Sequence, residues 1–275
     1  MSSPIRGVGV VRYADGAFRS AEDTVAMEEP LEIRISGETL AITMRTPGND
    51  RELVAGFLLA EGVIASKDDL ATITYCGRVG DEARENTIDI TLAPGVKPPI
   101  DDDTGMLARR GTITTSACGV CGRRSIDDLL ALTEPLTTIE RIDPRIVLGA
   151  LGGLRDRQPI FAKTGGCHAA SLVAFDGTIR VTHEDVGRHN AVDKVVGVQL
   201  LAGIAALPAH VLAVSGRSSF EIVQKAFRAR IPVVAAVSAP SSLAIELARR
   251  TGVTLCGFVR GHAMTIYAGD AIATT

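Results

Sequence analysis

The stretch VLAVSGRSSFEIVQKAFRARIPVVAAVSAPSSLAIELARRTGVTLCGFVRG, residues 211–261, decides the fold. Three short apolar runs rich in Val and Ala alternate with two helical patterns, SFEIVQKAFRAR and SSLAIELARRTG. Apolar strands separated by about a dozen helix-forming residues predict parallel pairing, because a parallel crossover needs that length and uses a helix to cover the sheet. The C-terminal half is therefore expected to be a layered α/β unit.

Working towards the N-terminus, residues 187–202 predict a further helix, and residues 170–182 a hairpin turning at Asp176–Gly177. Leu129–Arg155 predicts two short helices, the second opening at Asp143–Pro144, where an N-cap residue precedes a first-turn proline. Residues 94–111, rich in Pro, Gly and Asp, read as a long surface loop. Segments 72–79 and 86–92 read as strands. Leu31–Thr46 alternates apolar and polar residues about Ser36–Gly37, which predicts a hairpin. Asn49 and Asp50 are placed to cap a helix that ends at Gly62. The expected fold class is α/β, with a smaller N-terminal α+β region over 1–113, a CxxC loop over 114–125 and a C-terminal domain over 126–275.

A chain of 275 residues can bury a substantial core, and a hydrophobic fraction of 46% argues against disorder. Its 29 basic and 32 acidic residues give no general attraction to nucleic acid or to an anionic membrane. The N-terminus lacks the charged start and apolar run of a secretory signal, and no apolar stretch approaches the roughly 20 residues that span a bilayer. A cytoplasmic protein without nucleic-acid or membrane partners is expected. Five cysteines in a reducing compartment point to chemistry or packing rather than to disulfide staples.

Cys118 and Cys121, in TTSACGVCGRRS, are three positions apart between glycines that free the backbone. Arg123 and Arg124 favour the thiolate, the nucleophilic form. Such a pair can hold a metal, form a redox disulfide or carry a group. A zinc site would need two more ligands, and Cys76, Cys167 and Cys256 each stand alone, although Cys167 adjoins His168. Downstream, THEDVGRHNAVDKVVG over 182–197 crowds His183, Glu184, Asp185, Arg188 and His189 before a helix that carries Asn190, Asp193 and Lys194. A capped, charged helix start accounts for part of that density. The junctions at Ser215–Gly216, followed by Arg217 and Ser218, and at Ser238 each end a strand and begin a helix, as anion sites do. An ordinary serine N-cap explains each junction singly. Phe258 and Arg260 offer an aromatic face and a phosphate clamp.

CGVCG at 118–122, HEDVGRHNAVDKVVG at 183–197, SGRSSFEIVQKA at 215–226, SAPSSLAIELA at 238–248 and GFVRG at 257–261, with GFLLAEGVI at 56–64, together resemble the FdhD family. These are sulfur carrier proteins required for formate dehydrogenase activity. The resemblance implies a sulfurtransferase that accepts persulfide sulfur from a cysteine desulfurase on Cys118, assisted by Cys121. It would pass the sulfur to a molybdenum or tungsten bis(guanine dinucleotide) cofactor as bound acceptor, with no catalytic metal of its own. It also implies a homodimer, and a C-terminal domain similar to cytidine deaminases. The family's cofactor-binding loop maps onto Phe258, Val259, Arg260, Gly261, His262 and Ala263. Ser215, Arg217, Ser218, Ser238, His189 and Lys194 are the further expected cofactor contacts. Two other readings compete: a cofactor-binding chaperone without sulfur transfer, and a zinc-dependent deaminase relative, although no HxE followed by PCxxC is present.

Overall fold

The computed structural model describes residues 3–76, 85–96, 129–130, 133–137 and 140–273. The expected surface loop after residue 96 and the CxxC loop lie outside the described residues.

Twelve strands form three sheets among the described residues. The largest has the order β12-β11-β10-β9-β7-β8, built from β7 (His168–Ala174), β8 (Ile179–Asp185), β9 (His210–Val214), β10 (Val233–Ala236), β11 (Thr254–Arg260) and β12 (Ala263–Ala268). Strands β9, β10 and β11 pair in parallel, as the opening stretch requires, and antiparallel partners close both sides. The crossovers are α5 (Phe220–Arg228) and α6 (Ser242–Thr251). They share a face of the sheet with α4 (Arg188–Leu201), through a core that includes Leu172, Val192, Leu212, Val223, Val234 and Leu247. The opposite face, carrying Val173, Val211, Ala213, Val233 and Cys256, is covered by Val147, Ala150 and Leu154 of α2 (Pro144–Arg155).

A four-stranded sheet of order β4-β3-β6-β5 comprises β3 (Glu29–Ile35), β4 (Glu38–Arg45), β5 (Leu70–Tyr75) and β6 (Thr87–Leu92). Its inward residues Leu31, Ile33, Ile88 and Ile90 meet Leu53, Val54 and Leu58 of α1 (Asp50–Glu61) in the same core that runs into the large sheet. Helix α1 lies against α4 with almost no side chain between them. A Cβ on Gly56 would sit 2.1 Å from the carbonyl oxygen of Asp193, and one on Gly197 would sit 1.8 Å from that of Glu52. Being packed on several sides, α4 buries polar and apolar residues alike, so its sequence shows no single apolar stripe.

The 31–46 hairpin forms with Ser36 and Gly37 both at positive φ, the geometry of a tight two-residue turn. Four differences from the sequence reading stand out. The first expected strand, over 72–79, ends at Tyr75 and begins at Leu70. Asn49 occupies the N-cap of α1 but makes no side-chain cap bond, because it is left-handed at φ 57, and Asp50 turns inward to bind Arg45. A short helix α3 (Pro159–Thr164) follows α2. Residues 5–26, not read as structured, form an antiparallel ribbon of β1 (Ile5–Ala14) and β2 (Ala17–Ala26) turning at Asp15–Gly16. Both faces of the ribbon are largely exposed, so it carries no apolar alternation that marks a strand. Among the described residues, no helix is long and apolar enough to cross a membrane.

Candidate functional site

The pairing registers gather the motif residues at one edge of the large sheet. Parallel β9 and β10 end there, at Val214 and Ala236, just before Ser215 and Val237, and β11 reaches Gly257–Phe258 beside them. Antiparallel β7 begins at that edge, since Ala170 pairs with Val214 and His168 with Asp185, the last residue of β8. His168, Asp185–Arg188, Ser215–Gly216, Val237–Ser238 and Phe258–Arg260 therefore share the carboxyl edge of the parallel strands, where open α/β sheets bind ligands.

A cleft of about 710 Å³ opens at this edge. Its apolar side comes from α2 and Phe161 of α3, and its polar side from His168, Ser215, Arg260 and the backbone of Gly165–Gly166 and Gly261. A second cavity of about 530 Å³ lies under the ribbon, lined by Val25, Ala26 and Glu28 together with Thr164 and Arg188. The two cavities share Gly166, His168 and Val186.

The loop between β11 and β12 departs from regular pairing between Gly257 and Arg260. Phe258 sits at φ 52, a left-handed conformation uncommon for an aromatic residue, and its N–H donates to the Ser238 carbonyl at 3.3 Å. This turns the ring outward, 39% exposed, with the Arg260 guanidinium 5.8 Å from its centroid. Val259 points inward and is buried, whereas Arg260, Gly261, His262 and Ala263 are exposed. An exposed ring beside an arginine can stack a planar base and hold an anion.

The polar cluster after β8 resolves into a scaffold. Asp185 is fully buried and accepts four bonds: from Gly187 N–H (2.8 Å), Asn190 Nδ2 (3.0 Å), Thr46 N–H (3.1 Å) and Lys194 Nζ (2.8 Å). Lys194 also donates to the carbonyl oxygen of Thr46 at 2.9 Å. Glu184 accepts from the N–H groups of Ile160 (2.9 Å) and Phe161 (2.7 Å), capping α3 from a distant strand. His189 Nε2 lies 2.9 Å from both Ser219 Oγ and Glu221 Oε2, and burial pulls its pKa below the ordinary histidine value. Asp193 pairs with Lys225 at 2.7 Å, and burial raises its carboxyl to about 6.

Of the expected cofactor contacts, Ser215, Val259, Arg260 and Gly261 line the cleft. His189 and Lys194 lie beneath it in the internal pairs just described. Ser218 is fully buried, and its hydroxyl has no partner among the described residues. Arg217 is exposed, and Ser238 is half-buried behind Phe258. Cys118 and Cys121 fall outside the described residues. Cys167, buried with its thiol pushed up to about 11, and His168, whose pKa is lowered by burial and by Arg188, also line the cleft and were not among the expected cofactor contacts. The signal was present in GGCHAA, a glycine pair opening a strand. Among the described residues, no group of three or more His, Cys, Asp or Glu could hold a metal.

The architecture is that of a mixed α/β protein with a cleft at the carboxyl edge of a six-stranded sheet. The chain belongs to the FdhD/NarQ family, whose sequence model matches residues 26–272. A relative from Anaeromyxobacter dehalogenans, described as a sulfur carrier protein FdhD, is 53% identical over 94% of this chain and 91% of its own. Proteins with the same description from Streptomyces coelicolor and Mycobacterium tuberculosis are 48% identical over 96% of this chain and 94% of theirs, and 50% identical over 89% and 90%. The fold is similar to the crystal structure of a Desulfotalea psychrophila protein described as a formate dehydrogenase accessory protein. The TM-score is 0.76, with 24% identity, covering 98% of this chain and all of that one.

Proposed function

We propose that the protein is a sulfur carrier that takes persulfide sulfur from a cysteine desulfurase onto Cys118, with Cys121 assisting. It delivers that sulfur to a molybdenum or tungsten bis(guanine dinucleotide) cofactor serving a formate dehydrogenase. The observation that carries this reading is the set of relatives near half identity along nearly the whole chain, each described as a sulfur carrier. The cleft supports the acceptor side: Phe258 and Arg260 suit a guanine base and its phosphates, and the α2 wall suits an apolar ring system. A parallel core with helices on both faces also agrees with deaminase-like layering of the C-terminal domain. The working form in this reading is a cytoplasmic homodimer.

The transfer onto the carrier is a thiol exchange. A Cys118 thiolate attacks the outer sulfur of the donor persulfide, an S–S bond forms on Cys118, and the donor leaves as a thiolate with no net oxidation. Incubation with a cysteine desulfurase and cysteine, followed by intact-mass and peptide mass spectrometry, tests it. The expected result is one added sulfur on Cys118, removable by reductant and absent in Cys118→Ala. With an active desulfurase, no added sulfur on either Cys118 or Cys121 would overturn the carrier reading in favour of a cofactor-binding chaperone.

A further inference from the structure

We infer that Arg188 and His168, drawn together at Gly216, form a phosphoryl-binding subsite where the two cavities meet, separate from the Phe258–Ala263 loop. The inference rests on the reading that the cleft takes a nucleotide-bearing ligand, and it names where the phosphoryl end sits.

Gly216 is where both side chains converge. A Cβ built there would lie 3.4 Å from His168 Nδ1 and 3.5 Å from Arg188 Cδ. Burial, then the charges of Arg188 and His189, oppose protonation of His168, while the Asp185 carboxylate favours it. Among the described residues, no carboxylate forms an ion pair with either of these two side chains. Asp185 already accepts four bonds, Glu184 caps α3, and Glu221 is paired with His189. Glu28 lines the second cavity, but it is exposed and forms no ion pair with Arg188. Arg188 Nε is shielded from solvent and has no hydrogen-bond partner among the described residues. Arg188 as a whole is half-buried and lines the second cavity, so an oxyanion there can accept a charge-assisted bond from its terminal nitrogens.

The surroundings select the class of anion. The Ser215 hydroxyl accepts from Ala169 N–H at 2.9 Å, which leaves its own hydrogen free to donate into the larger cleft. Arg188 is also the first residue of the 14-residue α4, where the Asp185 carboxylate on the Gly187 N–H already answers the helix field, so the side chains have to hold the anion. Multiple donors from different directions suit a tetrahedral oxyanion better than a planar carboxylate. Arg260 and His168 both line the larger cleft, and Arg188 lines the second cavity, which shares His168 with it, so a ligand entering both would bring its phosphoryl oxygens to Arg188.

Isothermal titration at low, fixed ionic strength with inorganic pyrophosphate, guanosine and GDP tests the subsite. Wild type is expected to bind pyrophosphate, with GDP competing. Arg188→Gln is expected to weaken pyrophosphate about ten- to a hundredfold, the value of a charge-assisted pair, while guanosine binding is unchanged. Arg188→Lys should recover part of the loss. If Arg188→Gln disturbs folding, the unmutated protein still decides: the His168 ring resonances should move on addition of pyrophosphate. Pyrophosphate that does not bind, or binds Arg188→Gln as tightly as wild type, or leaves His168 unmoved, overturns the subsite. Failure of guanosine and GDP to bind while pyrophosphate binding depends on Arg188 would instead overturn the nucleotide reading and leave the subsite standing.

Discussion

Replacing Gly197 by Ala should part the two helices that join the small sheet to the large one. The new Cβ would begin 1.8 Å from the Glu52 carbonyl oxygen, whereas a relaxed carbon–oxygen contact is about 3.3 Å. The backbones must therefore separate by about 1.5 Å, because the obstacle is main chain and no side chain can rotate away. Overpacking of this kind costs about 1–3 kcal/mol, and backbone against backbone belongs at the upper end. Alanine's better helix propensity returns roughly 0.5–1 kcal/mol. The net loss is about 2 kcal/mol, or about 4–8 °C in Tm for a chain of this size. Urea unfolding followed by circular dichroism measures it. Gly56→Ala, starting from 2.1 Å against Asp193, should behave alike. Because either substitution opens the same seam, the double variant should lose less than the two singles together. A Gly197→Ala protein with an unchanged or raised midpoint would refute this account of the helix contact.

Lys194→Met leaves Asp185 charged and buried without its 2.8 Å partner, and should cost about 3–5 kcal/mol by urea unfolding; adding Asp185→Asn should restore part of it. Glu184→Ala removes the remote cap of α3 and should speed hydrogen exchange at Ile160 and Phe161, with about 1 kcal/mol lost overall, while unchanged exchange would show that α3 holds itself. Burial holds His168, His183, His189 and His210 below the ordinary histidine pKa, so the unfolded chain takes up protons first and stability falls as pH drops below about 6.5. Asp193, raised to about 6, acts oppositely between about pH 6 and 4, so the urea midpoint should begin to decline near pH 6.5 and fall less steeply below about pH 6 than the histidines alone would make it. A midpoint that rises as pH falls from about 6.5 to about 6 would contradict the burial of the histidines.

The parallel core was legible because its strands are short apolar runs separated by crossover-length helical patterns, a signal that depends only on local periodicity. The ribbon of residues 5–26 was not, since a two-stranded element with both faces in solvent needs no alternation, and only Asp15–Gly16 marked its turn. Within the site, the strand-end positions of Ser215 and Arg260 followed from sequence order. The roles of Glu184, His189 and Lys194 did not, because their partners Ile160, Glu221 and Thr46 are set by tertiary contact. Spacing showed a dense cluster of polar side chains but could not separate those that brace the fold from those that face a ligand.

That separation can be made by asking which polar groups have partners. Asp185, Lys194 and Asn190 tie the start of α4 to the end of β4, and Glu184 ties α3 to β8, so the rim of the cleft is fixed by groups whose bonding is already complete. Such a rim can hold Arg188 in place without neutralising it. Arg188 is the exception within the cluster: its Nε is shielded without a partner among the described residues, and its side chain lines the second cavity beside His168. A scaffold arginine would have been given a carboxylate, as Arg45 has Asp50 at 3.0 Å. The contrast between these two arginines sets the proposed ligand-facing part of the motif apart from the charges that are paired inside the fold.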